Sequence, residues 1–225
     1  LSQVSQQQVF YLIGRKDKGI SKPSDLKGKT IGVTRKGAGE FFLGKFLAFN
    51  NIKLGDIKII DLPPAEMIGQ LENGKIDAVV IFDPHAYNLI KKLGNEVVSW
   101  SVQGDQKTFA LLYSTNPFIQ THPETIERYL QALSQAEKFT QDHPKEAQNL
   151  IGLYMHYDSN YVNHMWQAIR FQLSLDQTLL LALEEQAAWA MENKLATAKQ
   201  IPNYLDHIYF PALEKAKPQA INIIH

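Results

Sequence analysis

Two short stretches bring backbone donors, charges and rings to places where a sheet can hold a ligand. The first is Arg35-Lys-Gly-Ala-Gly-Glu-Phe41, set between a strand-like run at 30–34 and an apolar helical run from about 39 to 50. Open α/β sheets take ligands in the crevice at the carboxyl ends of their strands, and this turn occupies such an end. Gly37, Ala38 and Gly39 put little side chain in the way, so the N–H groups of residues 38–40 can approach a ligand. The helix N-terminus there favours a carboxylate, sulfonate or phosphate. The competing reading is that the glycines only make the turn. Glu40 serves either as the helix's own N-terminal charge partner, the commoner role, or as an acceptor facing a ligand amine. Phe41 and Phe42 are adjacent, which predicts one ring in the core and the other free to stack. The second stretch is Asp83-Pro84-His85, at the matching end of the run 77–82. Asp83 reads as an N-cap because Pro84 suits a first helical position, while His85 and Tyr87 are candidates to line a cleft. Asp61, at the end of the run 57–60, is a candidate of the same kind.

Other chemistries lack their residues. The chain has no cysteine, which removes disulfides, thiolate nucleophiles, cysteine-ligated zinc and iron–sulfur clusters, and leaves the redox compartment open. The seven histidines fall into neither H-x-x-x-H nor H-E-x-x-H, so no metal set is expected. G-x-S-x-G, the P-loop pattern and G-x-G-x-x-G are likewise absent, which gives no support to a catalytic set or a cofactor. Lysine plus arginine number 23 and aspartate plus glutamate 23, so no general field gathers phosphates and nucleic acid is not an expected partner. The apolar run from Leu179 to Leu183 stops at Glu184 and Glu185, and no stretch reaches the ~18 apolar residues of a membrane span. Contact with a membrane is expected only through a partner or an anchor. The chain opens at Leu1 with no basic-then-apolar leader, so any targeting peptide is expected to have been removed or to lie outside this sequence.

The elements that must hold these residues change in texture near residue 105. Before it, strands alternate with single helices. Val9-Phe10-Tyr11-Leu12-Ile13 reads as a buried strand ended by Gly14, and Ser24 and Gly28 bound a turn. The strand at 30–34, the glycine bend and the following helix form one unit, which repeats. A helix opens at Pro63-Pro64, faces inward with Met67, Ile68 and Leu71, and stops at Asn73-Gly74, and another runs from Asp83-Pro84 to Gly94. This order implies a parallel sheet with right-handed crossovers. After a strand at 109–113 the chain reads as nearly all helical. Ile126, Tyr129, Leu130, Leu133, Ala136 and Phe139 keep a one-face rhythm, and later helices start at Pro144, at Asp158 or Ser159, and at Asp176.

Four ordered motifs carry a family resemblance. Gly19-Ile-Ser-Lys-Pro-Ser-Asp-Leu-Lys-Gly-Lys-Thr-Ile-Gly-Val33 is similar to the opening of the second lobe in bacterial ABC-transporter solute-binding proteins. Leu62-Pro-Pro-Ala-Glu66, Leu71-Glu-Asn-Gly-Lys-Ile-Asp-Ala-Val79 and Ile81-Phe-Asp-Pro-His-Ala-Tyr87 resemble the series found in the nitrate, sulfonate, taurine and thiamine-precursor binding group. The helices from His122-Pro123 and around Asp142-His-Pro-Lys-Glu-Ala147 fit the same group, so the likeness runs over essentially the whole chain.

The resemblance implies an α/β, two-lobe periplasmic-binding-protein-like fold with a parallel βαβ second lobe and a helical C-terminal part. Residues 1–22 become a hinge strand and a remnant of the first lobe, 23–105 the second lobe, and 106–225 a return hinge strand with the first lobe's C-terminal helices. Hinge strands are expected at 9–13 and 109–113. Only eight residues precede the first, so the first lobe's N-terminal βαβ portion is expected to be missing. Implied too are a periplasmic location, a small-molecule ligand and an ABC transporter permease as partner. Family members line their cleft with the turn at 82–84; Phe82 stands where Trp is usual, keeping an aromatic wall without an indole donor. The sulfonate and taurine binders carry hydroxyl residues where this chain has Gly37-Ala-Gly-Glu40, which favours a ligand with an amine or heterocyclic nitrogen facing Glu40. The function expected is capture of a small nitrogenous or anionic nutrient, such as a thiamine-precursor pyrimidine or a sulfonate. The alternative is an extracytoplasmic sensor region joined to a receptor signalling domain. A third reading, a metal-dependent pyrimidine-synthesising enzyme, has neither cysteine nor a histidine pair behind it.

Overall fold

A computed structural model describes residues 2–224, without the side chain of Ser2. The chain divides into two units, one made of the residues up to Gln7 together with those from Thr108 onward, the other of Gln8–Lys107. Strand β1 (Ser2–Gln7) finds its partners beyond residue 107.

The unit of Gln8–Lys107 contains β2 (Phe10–Arg15), β3 (Thr30–Val33), α1 (Ala38–Phe49), β4 (Lys58–Asp61), α2 (Pro64–Glu72), β5 (Ala78–Phe82), α3 (His85–Leu93) and β6 (Val97–Ser101). Its sheet has the order β4-β3-β5-β2-β6. β3 runs parallel to β4 and β5, as the strand–helix alternation predicts. β2 runs antiparallel between β5 and β6, with Leu12 opposite both Val80 and Trp100. The stretch 9–13 therefore does not pair with 109–113, and the expected boundary at residue 22 moves to residue 7. The physical reason is two-sided burial: Leu12 and Ile13, on opposite faces of β2, are both fully buried, which is what an uninterrupted apolar strand requires. Ile13, Met67, Leu71, Val79, Ile81 and Leu89 form the core between the sheet and α2 and α3. In the turn at 21–28 the cap is Asp25 rather than Ser24. Its Oδ2 accepts from the N–H of Ser21 (3.0 Å) and Lys22 (3.1 Å) and from the Ser21 hydroxyl (2.9 Å).

The other unit adds β7 (Thr108–Leu112), α4 (Asn116–Thr121), α5 (Pro123–Asp142), α6 (Pro144–Met155), α7 (Ser159–Ala168), β8 (Ile169–Ser174), α8 (Gln177–Glu192) and α9 (Phe210–Ala216). Its sheet, β7-β1-β8, is antiparallel throughout. β1 is not legible as a strand in the sequence, whereas β8 interrupts the expected helical run with the strict apolar–polar alternation Ile169-Arg-Phe-Gln-Leu-Ser174. β1 is polar, yet Gln3 is fully buried; its Nε2 donates to Ser174 Oγ (3.0 Å), which donates to Asp176 Oδ2 (2.8 Å). Of the two candidates for the start of α7, Asp158 is the cap, accepting from the N–H of Asn160 and Tyr161 at 3.0 Å. Asp176 does not cap α8 in this way, because its oxygens accept from Ser174 and Asn222. Leu130, Leu173, Leu175, Leu179 and Leu213 fill the core. Glu137 Oε2 accepts from Lys217 Nζ and from the Leu173 N–H (2.9 Å), and Lys217 also donates to the Leu173 carbonyl (3.1 Å), which ties α5, β8 and the end of α9 together. Among the described residues, no helix is long and apolar enough to cross a membrane.

Candidate ligand-binding site

The glycine turn lies at the carboxyl end of β3, beside the ends of β4 and β5. Lys36 takes φ 58°, a left-handed conformation uncommon for a residue with a side chain. Glu40 holds it there. The Glu40 side chain is fully buried; Oε2 accepts from the Lys36 N–H at 2.7 Å and Oε1 from Arg35 Nε at 3.0 Å. Asp61, at the end of β4, accepts from the Arg35 N–H at 3.0 Å, and the Thr34 hydroxyl donates to the Leu62 carbonyl at 2.9 Å. Both carboxylates that the sequence offers to a ligand are thus acceptors for the loop itself. The expectation that Glu40 faces a ligand amine is corrected, since both oxygens of this buried carboxylate are engaged by Arg35 and Lys36; its partners are in the preceding loop rather than the helix's own N-terminal N–H groups.

The same loop leaves donors open. Gly37 is the N-cap residue, no side chain caps α1, and the Phe41 N–H takes the Gly37 carbonyl at 3.3 Å. The N–H groups of Ala38, Gly39 and Glu40 have no acceptor among the described residues. Arg35 is 44% exposed, and beyond its Nε bond to Glu40 the terminal nitrogens have no partner there. The formal charges of Arg35, Lys36, Glu40 and Asp61 cancel, so attraction for an anion comes from oriented N–H groups and the guanidinium rather than from net charge.

Gly39 is buried, and a Cβ on it would lie 3.3 Å from Val33 Cγ2 and 3.6 Å from Phe10 Cε1. This glycine brings α1 close to the sheet, while its N–H still opens at the helix end. Phe41 and Phe42 are both buried, with centroids 5.2 Å apart, and Lys45 Nζ lies 5.5 Å from the Phe41 centroid. The reading of one of them as a stacking surface is corrected, because α1 is covered on both of those sides.

The exposed ring is Phe82. β5 buries Ala78 to Ile81 and then leaves Phe82 37% exposed. Its ring lies 5.5 Å from Phe10 and 5.8 Å, edge-on, from His85. Phe10 in turn lies 5.5 Å from Phe42. Pro84, not Asp83, is the N-cap residue of α3, which begins at His85, so the predicted cap position is off by one; Asp83, one residue earlier, still accepts from the Tyr87 N–H through Oδ1 at 3.0 Å. Tyr87 sits on α3 with Lys91 Nζ 5.8 Å from its ring centroid. The structure therefore places Gly37, Ala38, Gly39, Phe82 and His85 at the carboxyl ends of the neighbouring strands β3 and β5, with Asp61 and Glu40 as acceptors for the loop, and sets Phe41 in the core.

Sequence reasoning passed over Arg35, Phe10 and Gln103. Arg35 was discoverable as the cation on the far side of a glycine bend from Glu40. Gln103 gave no local signal: its Oε1 accepts from the N–H of Val9 (2.6 Å) and Phe10 (2.8 Å), fixing the start of β2 across a long sequence interval. Tyr11, next to Phe10, has its phenol pKa raised, first by burial and then by the Asp83 charge. A cavity of about 460 Å³ lined by Tyr113, Asn116, Asp206, His207 and Tyr209 lies in the other unit and contains none of these residues. The carboxyl ends of β3 and β5 are preferred as the candidate site because they combine acceptor-free N–H groups, a cation and an exposed ring.

The α/β unit and the largely helical unit with its three-stranded sheet have the periplasmic-binding-protein-like fold. The periplasmic aliphatic sulphonate binding protein SsuA from Escherichia coli superposes with a TM-score of 0.70 at 17% identity, over 92% of this chain and 72% of that one. The desulfurization enzyme DszB shares the fold, with a TM-score of 0.69 at 15% identity over 97% of this chain and 78% of that one. The NMT1/THI5-like family model matches residues 1–147, and the chain belongs to that family. The taurine-binding periplasmic protein of Escherichia coli (strain K12) is 31% identical over 124 residues, which covers 54% of this chain and 38% of that protein. The chain spans less than half the length of the curated relatives it matches.

Proposed function

We propose that this chain is the ligand-binding part of a periplasmic solute-binding protein that captures a small sulfonate-class anion and presents it to an ABC importer. The observation that carries this reading is the trio of acceptor-free N–H groups at Ala38, Gly39 and Glu40 beside the half-exposed Arg35 guanidinium. Three oriented donors and a forked cation match the three oxygens of a sulfonate, and a helix N-terminus binds such groups without a net positive field. The family membership and the taurine- and sulfonate-binding relatives support the same class. A thiamine-precursor aminopyrimidine fits less well, since Glu40, the acceptor its amine would use, is engaged in the loop. The reading is of binding rather than catalysis. DszB is an enzyme on the same fold, so the site and not the fold supports that choice.

The test is a thermal-shift and calorimetric screen of the 225-residue chain against taurine, ethanesulfonate, nitrate, an aminopyrimidine and thiamine. Ligand at 100 times Kd stabilises by about 2.7 kcal/mol, an easily read upward shift. A response to sulfonates that Arg35→Ala weakens by about tenfold, the loss of roughly one charge-assisted hydrogen bond, supports the reading. A response confined to the aminopyrimidine, or one indifferent to Arg35, overturns it.

A further inference from the structure

We propose that the cavity in the unit of β7 and α9 is a second ligand site, which takes a small molecule bearing an ammonium group on an apolar tail. It stands apart from the anion reading and shares no residue with it. The cavity holds about 460 Å³, within the range of small-molecule sites, and its walls come from segments far apart in the chain. Tyr113 and Ser114 follow β7, Asn116 and Gln120 lie on one side of α4, and Asp206, His207 and Tyr209 lead into α9. A smaller cavity of about 40 Å³ shares Tyr113 and Tyr209 with it and adds Leu112, Ile126 and Leu130. The site is thus polar at one end and apolar at the other.

The charge pattern names the head group. Asp206 is the one carboxylate among the lining residues, and neither lysine nor arginine lines either cavity. Lys215, whose charge reaches Tyr209, is engaged by Glu127 at 3.0 Å. The Asp206 carboxylate is aimed rather than loose. Asn203 Nδ2 donates to its Oδ1 at 3.0 Å, and Leu205 and Ile208 on either side pack on the core, so Oδ2 stands as an acceptor without a partner among the described residues. Tyr113, 80% exposed, and Tyr209, half-buried, supply ring faces that attract a cation. The side chains of Ser114, Asn116 and Gln120 make no hydrogen bond among the described residues and can accept further N–H groups. An anion would meet Asp206 with no cation to offset it, and an alcohol would forgo the charge.

Protein-observed NMR titration of the 225-residue chain compares butylammonium, 1-butanol and butyrate, which put a positive, a neutral and a negative head on like tails. Backbone amides of 113–120 and 206–209 should shift with butylammonium. Its Kd should lie about fivefold below that of butanol, the combined worth of a cation over a ring and an exposed ion pair, and butyrate should bind most weakly. Asp206→Asn, which keeps an oxygen for Asn203, should bring butylammonium to the affinity of butanol while butanol stays within about twofold. Equal Kd values for the two in the unaltered protein, or no shift at these amides, overturn the proposal, and that comparison needs no variant to fold. A preference that survives in Asp206→Asn also overturns it. So does glucose shifting these amides where butylammonium does not, since the cavity would then take a neutral polyol.

Discussion

Replacing Glu40 by Gln tests whether the loop that presents the open donors is held by a buried carboxylate. The side chain is fully buried and faces two donors, Lys36 N–H at 2.7 Å and Arg35 Nε–H at 3.0 Å. A glutamine of the same shape offers one oxygen and one NH₂, so whichever way the amide turns, one donor meets a donor. A buried hydrogen bond to a charged group contributes about 1.5–3 kcal/mol. The half-exposed Arg35 is screened by solvent, which places the expected loss near the lower end, at about 2 kcal/mol. In a chain of this size about 1 kcal/mol moves the midpoint by roughly 2–4 °C, so the variant should melt about 4–8 °C lower. Two units need not melt together, so the global midpoint is paired with hydrogen exchange of the peptide covering residues 33–42. The Lys36 amide should exchange faster while the unit from Thr108 onward is unchanged. A midpoint within 1 °C of the parent (about 0.3–0.5 kcal/mol,) together with unaltered exchange at Lys36 would refute the assignment of Glu40 as the loop's anchor.

Gly14→Ala should cost about 1–3 kcal/mol in a urea titration, because its Cβ would lie 2.7 Å from Ile20 Cγ2, whereas Gly37→Ala, 3.7 Å from the Thr34 carbonyl, should cost far less; equal costs would contradict the packing. Glu137→Gln should destabilise by about 3 kcal/mol by leaving Lys217 partly buried without its charge partner, and adding Lys217→Met should recover part of the loss; additive losses in the pair would argue against a coupled contact. The folded-state pKa of Tyr11 is raised above its unfolded value near 10 by burial and the Asp83 charge. The stability of its neutral form is therefore complete below about pH 10 and is lost as pH rises through the folded pKa. Tyr11→Phe should flatten that alkaline limb, leaving the share due to Tyr204, whose pKa is raised by burial and Glu184; an unchanged limb would show that Tyr11 is not coupled to folding.

The alternation of β3, α1, β4, α2 and β5 follows from local pattern alone. Apolar runs of strand length, proline at helix starts and Asn73-Gly74 or Gly94 at helix stops each act within a few residues, and the parallel order follows from the single-helix crossovers. The strand ends that carry the proposed site were legible for the same reason, since Arg35 to Phe41 and Phe82 to His85 follow the apolar runs that the sequence marks as β3 and β5. Tertiary structure decided the rest, because it turned on partners far away in the chain. β1 is a polar segment that forms a strand only because β7 and β8 pair with both its edges, and the apolar run at 9–13 lies inside its sheet only because β5 and β6 flank β2. In the site, residue type limits what Glu40 and Asp61 can do, but burial and hydrogen-bond partners chose loop acceptor over ligand contact. Of the two aromatic candidates, sheet packing buried Phe41 and left Phe82 exposed, a difference of surroundings that two phenylalanines cannot carry in their own chemistry.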